Sequence, residues 1–420
     1  MTEEKRTRRP NGRSSIYVGK DGWWHGYVTV GIKADGKPDR RHVRGRDEHQ
    51  VTKKVRALEK ERDSGLVRKA GRAPTVAQWM ETYLDTIAAP RLAPKSLYDY
   101  RSKSENWIVP HIGRHRLDRL LPEHLDGLYA AMLKAGKAPS TVLKVHRVIS
   151  RALKIAVRRG KVARNVATLV DPPSLGYTEQ AQFTRGEARK VLAAAKDRRN
   201  AARWSVALAC GLRQGEALGL RWEYVDLGTG DVKVWWQLQR NVWQHGCDDP
   251  HACGERLHRS TCPPKCTRHA SRCPQRFGGG LVFRRPKGKS RRQITMPASL
   301  VEALREQRRA QLVERHLAGD AWRDLDLVFA EPDGSPIDQK ADWKEWAALL
   351  TDAGVRQIRI HDMRHTAGTL LVAQGVHIRA VQEILGHSDV RTTEGYTHVA
   401  SDTARDAAAR MDSALWGGDD

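Results

Sequence analysis

A phenol and an imidazole lie close together near the C-terminal end of this 420-residue sequence, in the segment LGHSDVRTTEGYTHV. Tyr396 follows His387 in that segment after a short stretch that contains two threonines. A phenol has a pKa of about 10, so Tyr396 is protonated and a poor nucleophile at neutral pH unless positive charge surrounds it. The pair can therefore do chemistry only if the rest of the chain supplies cations and a proton acceptor.

Three further segments contain such groups. Arg213 lies in ALACGLRQGEALGLRW, and Glu216 follows it on the next helical turn. Lys287 lies in RRPKGKSRRQITMP, a basic turn that leads into a predicted strand. His361 and Arg364 lie in IRIHDMRHTAGTLL, and their spacing places them on one face of a helix.

Together these side chains are suited to phosphoryl transfer. Guanidinium groups match the non-bridging oxygens of a phosphodiester, and fixed cations stabilise the charge on a pentacoordinate phosphorus. A histidine can accept the phenolic proton and a lysine can protonate the departing oxygen, so this chemistry needs no metal ion. Each side chain alone also has a structural explanation, such as an Arg–Glu helix pair, a simple phosphate contact, a helix cap or a packed aromatic. Only the complete set favours catalysis.

In this order, the four segments resemble the catalytic domain of tyrosine recombinases, specifically the phage-type integrases of mobile elements. The resemblance covers roughly residues 74–400. It implies that Tyr396 is the nucleophile that forms a 3′-phosphotyrosine link and that Lys287 is the general acid for the 5′-hydroxyl leaving group. It also implies that Arg213 and Arg364 hold the scissile phosphate. Lys289 is an alternative to Lys287, because it lies only two residues away.

The same resemblance implies supporting roles for three other residues. His361 assists as a proton acceptor and phosphate ligand, and His387 donates a hydrogen bond to the phosphate. Glu216 matches the acidic residue that orients the site near the first arginine of the family pattern.

A Cys/His-rich insertion at residues 245–275 departs from the family pattern, because Arg213 and Lys287 are farther apart than the family hairpin usually requires. With no export signal in the chain, a disulfide framework is not expected. The spacing instead favours a structural, tetrahedral zinc site with the ligands Cys262, Cys266, His269 and Cys273. Alternative ligands, or a second site, are Cys247, His251, Cys253 and His258. The other alternative is a metal-free loop with reduced thiols.

The charge of the chain favours a nucleic-acid partner. Its 74 Lys and Arg exceed its 49 Asp and Glu by 25, and most of this excess lies in residues 1–171. Five basic residues recur at helical intervals opposite an apolar face: Lys144, Arg147, Arg151, Lys154 and Arg158. Like charges at this spacing repel one another, so DNA phosphates explain the stripe better than solvent alone does.

A chain of this length is expected to form more than one domain, and we predict a multidomain α+β protein. Residues 1–72 alternate as short strands and then form a helix, which indicates a small sheet plus helix. This part resembles an arm-type DNA-binding domain, although a structural cap is the alternative. Residues 73–170 are predicted to form an all-helical core-binding domain. Residues 177–415 are predicted to form a mixed α/β catalytic domain of the tyrosine-recombinase fold.

The predicted function is site-specific DNA recombination by an integrase that inserts or excises a mobile element, viral genomes included. The expected partners are double-stranded DNA attachment sites and, from the resemblance, a homotetramer on DNA with accessory DNA-bending or excision factors. No nucleotide cofactor is implied. A type IB topoisomerase-like strand transferase and a non-catalytic DNA-binding protein are the alternatives. The N-terminus lacks a signal peptide and no long apolar run occurs, which predicts a cytoplasmic, nucleoid-associated protein.

Overall fold

The computed structural model describes two compact units, Met1–Tyr177 and Thr178–Asp420. The described residues are 14–32, 36–63, 73–176, 181–249, 253, 269–286, 291–394, 396 and 411–412. The predicted fold class is confirmed, since a small sheet with a helix, a helical region and a mixed α/β region follow one another along the chain. No helix in these ranges is both long and apolar enough to cross a bilayer.

The N-terminal unit begins with an antiparallel three-stranded sheet and one helix. The strands are β1 (Ser15–Val18), β2 (Trp24–Ile32) and β3 (Pro38–Gly45), followed by α1 (Glu48–Asp63). Gly22 has a φ of 76° in the turn between β1 and β2, and the Asp47 carboxylate accepts hydrogen bonds from the amides of His49 and Gln50 at the start of α1. Alternate β2 residues, Val28 and Val30, are buried against α1.

The second part of this unit is helical and has its own apolar core. Its helices are α2 (Val76–Thr82), α3 (Pro94–Lys103), α4 (Val109–Ile112), α5 (Pro122–Lys134) and α6 (Pro139–Arg158), with π-helical turns at Tyr83–Ala88 and Ser104–Ile108. Thr75 and Gln78 form a reciprocal cap at the start of α2. Proline begins α3, α5 and α6, where its missing N–H and fixed φ are tolerated.

The helix α6 has the two faces that its sequence predicts. The apolar positions Val142, Val145, Ile149 and Ala152 are buried. The five predicted basic residues are all exposed: Lys144, Arg147, Arg151, Lys154 and Arg158. Among the described residues, none of these five forms an ion pair with a carboxylate. The stripe therefore presents cations that the carboxylates of the described residues do not neutralise.

The C-terminal unit combines helices with two small sheets. One sheet joins β4 (Val225–Asp226), β5 (Asp231–Val234) and β8 (Arg292–Thr295), and the other pairs β6 (Gln237–Asn241) with β7 (Gly280–Arg284). The helices are α7 (Arg185–Ala195), α8 (Ala202–Cys210), α9 (Gln214–Leu218), α10 (Ala298–Ala318), α11 (Gln339–Asp352), α12 (Asp362–Ala373), α13 (Ile378–Leu385) and α14 (Val390–Glu394).

A buried ion pair fixes α8 against α11. Arg203 donates from Nε to Asp342 Oδ1 over 2.8 Å, and both side chains are almost fully buried. Asp342 also accepts a 2.8 Å hydrogen bond from Gln214, the first residue of α9. Because an unpaired buried charge is costly, this network holds the start of α9, and with it Arg213, in one position.

Candidate active site

The phenol of Tyr396 is buried among side chains from α12 and α13. Only 4% of the residue is exposed, and its apolar neighbours include Leu385 and Ala367. Its Oη lies 3.0 Å from Nδ1 of His365, and its ring stacks on that of His387 at a centroid distance of 6.3 Å. Tyr396 thus contacts two imidazoles.

Gly368 makes room for this phenol. A Cβ at position 368 would lie 2.8 Å from two carbons of the Tyr396 ring, closer than real Cβ contacts allow. The ring therefore packs directly on the backbone of α12, one turn beyond Arg364. A side chain larger than hydrogen at this position would displace the tyrosine.

Arg364 is an almost fully buried cation, with 2% of the residue exposed. Its Nη1 donates to the Gly211 carbonyl over 2.8 Å. Its Nη2 is buried and finds no hydrogen-bond partner among the described residues. A buried donor without a partner costs free energy, so this nitrogen favours an additional acceptor.

The carboxylate of Glu216 forms ion pairs with two arginines close to Arg364. Its Oε1 accepts from Arg213 over 2.6 Å, and its Oε2 accepts from Arg292 over 2.9 Å. Arg292 also donates to the Ile384 carbonyl, which ties β8 to α13. Burial alone would raise the pKa of the Glu216 carboxyl, but Arg292 and Arg213 hold it below its ordinary value. Glu216 is therefore ionised.

One carboxylate does not balance the cations at this site. Burial lowers the pKa of Arg364 to about 9, and the nearby charge of Arg213 acts in the same direction. Arg364 is still charged at neutral pH. The guanidinium groups of Arg213, Arg292 and Arg364 outnumber the single carboxylate of Glu216, so the cluster has an excess positive charge that would attract an anion.

The three histidines of the site are neutral at pH 7. Burial, with the charge of Arg364, lowers the pKa of His387 to about 4. Burial likewise lowers the pKa of His361 and of His365 below the ordinary value of 6.5. Burial also raises the pKa of Tyr396, although Arg364 opposes this shift. The phenol therefore carries its proton and lies beside an imidazole that can accept it.

The structure brings together six of the seven predicted site residues, namely Arg213, Glu216, His361, Arg364, His387 and Tyr396. Lys287 and its alternative Lys289 lie outside the described residues. The Nη2 of Arg213 lies 3.5 Å from the Gly386 carbonyl, which places the first motif beside the Leu-Gly-His segment.

Two side chains of the cluster were not predicted from the sequence. His365 follows Arg364 directly and lies four positions after His361, so helical spacing could have placed it on the same face. The two imidazole rings meet edge to face at 5.3 Å. Arg292 occupies a buried position of β8, two residues before the buried Ile294 and so on the same face of the strand. An arginine at an inward position of a strand is the signal that could have identified it.

The insertion brings together one imidazole and three thiols. The ligand atoms of His245, Cys247, Cys253 and Cys273 all lie within 4.8 Å of one another. Of the four ligands predicted first, only Cys273 belongs to this group. His269 is described and does not belong to it, whereas Cys262 and Cys266 lie outside the described residues, as do the alternatives His251 and His258.

The chain matches two family models and a full-length relative. Residues 276–403 match the phage integrase family, and residues 75–133 match the phage integrase N-terminal SAM-like domain. An integrase of Saccharopolyspora erythraea is 41% identical, and the alignment covers 99% of each chain.

Solved structures share the fold at lower identity. The Tn1549 transposon integrase in complex with a circular intermediate DNA aligns with a TM-score of 0.62 at 17% identity, over 80% of this chain and 99% of that one. A lambda integrase tetramer bound to a Holliday junction aligns with a TM-score of 0.50 at 15% identity, over 91% and 97%.

The fold and the full-length relative define the class of this protein as a tyrosine-type site-specific DNA recombinase. The chain belongs to the phage integrase family, and within that family it is an integrase of a mobile element. The predictions of family, fold and enzyme class are thereby confirmed.

Proposed function

We propose that this integrase breaks and rejoins DNA by transferring a backbone phosphodiester onto Tyr396, during the insertion or excision of its element. One observation carries the proposal. Arg364 is buried and charged, its Nη2 lacks a partner among the described residues, and the phenol of Tyr396 belongs to the same cluster. A non-bridging phosphate oxygen would supply the missing acceptor.

In the proposed step, Tyr396 Oη attacks the phosphorus while the bond to the 5′-oxygen of the next nucleotide breaks. This leaves a 3′-phosphotyrosine and a free 5′-hydroxyl. Arg364 and Arg213 hold the non-bridging oxygens, and their fixed charges stabilise the pentacoordinate transition state. His387 donates a hydrogen bond to the same phosphate. Because the phosphodiester energy is kept in the tyrosine link, the reverse attack by a 5′-hydroxyl rejoins the strand without a nucleotide cofactor.

The phenolic proton passes to a neutral imidazole. His365 is suited to accept it, because its Nδ1 lies 3.0 Å from Tyr396 Oη and its lowered pKa keeps the imidazole neutral at pH 7. His361, whose ring contacts His365 edge to face, assists as a second acceptor and phosphate ligand. Glu216 orients the site through Arg213 and Arg292. Lys287, or else Lys289, protonates the departing 5′-oxygen.

The DNA duplex is held by the N-terminal unit as well. Residues 73–170 act as the core-binding domain, with the basic face of α6 on the phosphates. Residues 1–72 act as an arm-type domain, and residues 177–415 form the catalytic domain. The open face of the small sheet favours this role, since Tyr17, Tyr27, His25 and His42 stack there beside Arg44.

The active assembly is a homotetramer on paired attachment sites, with accessory DNA-bending or excision factors. Strand exchange needs no metal ion, whereas the Cys/His-rich insertion holds a structural zinc. The protein acts in the cytoplasm, on the nucleoid, and viral genomes are among the elements that such an enzyme integrates. The fold shared with the tetrameric lambda integrase is consistent with this assembly.

A covalent-adduct experiment tests the proposed chemistry. The full-length protein is incubated with a randomised pool of nicked duplexes, so that the short 5′-hydroxyl fragment diffuses away after cleavage. Denaturation then traps any protein–DNA link, and sequencing maps the cut positions. We expect a link at Tyr396 that is absent from Tyr396→Phe and present in Tyr224→Phe, the matched control. Cleavage by Tyr396→Phe would refute the assignment, and plasmid relaxation without paired sites would favour a topoisomerase.

A further inference from the structure

The hairpin of β6 and β7 ends in the cluster of one imidazole and three thiols. The ladder of this hairpin runs from the Gln237–Arg284 pair to the Asn241–Gly280 pair. Beyond the ladder, Gln244 and Phe277 exchange two backbone hydrogen bonds of 3.0 Å. His245 and Cys247 follow on one side of the hairpin, and Cys273 precedes it on the other. The cluster thus lies where the two paired segments part.

The two backbone segments beside this cluster lie very close to each other at Gly246 and Gln275. A side chain at Gly246 would collide with the Gln275 carbonyl, so only glycine allows the two segments to come this near. His269, in the segment that leads to β7, has a φ of 73°, and a short 3₁₀ turn at Ala270–Arg272 then positions Cys273.

The donor set identifies the class of metal. Three sulfurs and one imidazole nitrogen within 4.8 Å of one another match the three-Cys, one-His tetrahedral site of structural zinc. Hard cations such as magnesium and calcium prefer oxygen ligands, which this group lacks. Four protein ligands also fill the tetrahedron and leave no open position for substrate, so the metal is structural rather than catalytic.

We propose that His245, Cys247, Cys253 and Cys273 bind one zinc ion, which closes the open end of the β6–β7 hairpin. This ligand set differs from the one that the spacing predicts first, since it draws its ligands from both sides of the insertion. The reason is topological: the pairing of β6 with β7 brings residues 245–247 next to Cys273, although many residues separate them in the chain.

The proposed zinc site is connected to the active site through the packing of α9 on β6. Gly215 in α9 and Gly219 at its C-terminal end lie against the backbone of Leu238 in β6, where added Cβ atoms would come within 2.6 Å and 2.5 Å of Leu238 atoms. The helix α9 begins directly after Arg213. A metal ion that holds the β6–β7 hairpin together therefore also stabilises the part of β6 against which α9 packs. Because α9 begins directly after Arg213, the position of this arginine depends on that packing. The binding site itself does not depend on the proposed strand transfer.

Metal analysis of the full-length protein, purified without chelator, tests the assignment. We expect about one zinc ion per chain from this site. Cys247→Ser and Cys253→Ser should each lower the zinc content by about one ion per chain. Cys262→Ser and Cys266→Ser are the matched controls, because they make the same substitution within the same insertion, and they should retain the zinc. Tyr396→Phe should also retain it, which separates this test from that of the strand transfer.

Cobalt exchange adds a test that does not depend on losing a ligand. Tetrahedral Co²⁺ bound to thiolates has an intense sulfur-to-cobalt absorption, so replacing zinc with cobalt reports the number of sulfurs. His245→Cys should retain a four-coordinate metal and strengthen this absorption by about one third, whereas His245→Ala should weaken binding. Wild-type zinc content in both Cys247→Ser and Cys253→Ser would overturn the proposal, as would iron in place of zinc.

Discussion

The chemistry of this site depends on single nitrogen atoms, and Arg364 Nη2 is the clearest example. It is buried without a partner among the described residues, beside a phenol and two other guanidinium groups. Lysine at position 364 would keep a positive charge and lose the planar pair of donors. We expect Arg364→Lys to form the covalent adduct about 10²–10³ times more slowly, while its affinity for duplex DNA changes little.

The matched control is Arg315→Lys, which alters an exposed arginine paired with Asp324. This variant should cleave at the wild-type rate. Both proteins are compared by single-turnover adduct formation and by a binding titration at one salt concentration. An Arg364→Lys protein that cleaves as fast as the wild type would remove Arg364 from the phosphate site.

The pH dependence of cleavage tests His365. Burial lowers its pKa below 6.5, so the imidazole stays neutral and accepts the phenolic proton at pH 6.5 and above. As the pH falls through this depressed value, His365 becomes protonated and adduct formation slows. We therefore expect the acid midpoint of the rate profile to lie below 6.5. At pH 7, His365→Asn should react at least about 10² times more slowly. A midpoint above 6.5, or a wild-type rate in the variant, contradicts this role.

At the residue scale, the sequence predicted the groups whose type and order are local properties of the chain. Arg213, His387 and Tyr396 lie in motifs that can be read without knowing the fold. Arg292 could not be assigned in this way, because its partners Glu216 and Ile384 come from distant segments that only the folded chain brings together. The group of His245, Cys247, Cys253 and Cys273 was predicted only in part for the same reason, since the spacing pointed to the three cysteines and not to His245.

At the element scale, the carboxylate of Glu216 links α9 to β8, and through Arg292 to the end of α13. It is 1% exposed and pairs with Arg213 and Arg292, and Arg292 in turn binds the Ile384 carbonyl. Removing the carboxylate leaves buried guanidinium charge without a partner. We expect Glu216→Ala to lower the free energy of unfolding by about 3–5 kcal/mol, measured by urea denaturation of the full chain.

Glu223→Ala is the matched control for this change. Its carboxylate is half exposed and forms a single 3.4 Å pair with Arg221. Exposed pairs of this kind contribute about 0–1 kcal/mol, so the control should unfold near the wild-type urea concentration. Equal losses of unfolding free energy in the two variants would show that the buried ion pairs of Glu216 contribute no more to stability than an exposed pair does.

Some helices and strands could be predicted from the local spacing of apolar and polar residues, and others could not. The two-faced helix α6 follows from the spacing of its apolar and basic residues, and the N-terminal hairpins follow from alternation and turn residues. The register of β6 with β7 could not be predicted, because the Cys/His-rich insertion separates the two strands. Pairing across so long an insertion is decided by tertiary packing on α9.

At the scale of the whole molecule, the distribution of charge separates two kinds of basic surface. The excess of 25 positive charges lies mostly in residues 1–171. On α6 the exposed cations form no ion pairs with described carboxylates, whereas on α10 three arginines are paired, namely Arg305, Arg309 and Arg315. Only unneutralised cations release counterions from DNA when they bind phosphates.

The salt dependence of DNA binding therefore tests the role of α6. Each phosphate contact contributes about 0.9 to the slope of log K against log salt concentration. Replacing the five basic residues of the α6 face with alanine should reduce this slope by about 4, if most of them contact phosphates. Replacing the three paired arginines of α10 should reduce it by about 1 at most, because the carboxylates of Glu302 and Asp324 already balance two of their three charges. An unchanged slope in the α6 variant would place the phosphate contacts on another surface.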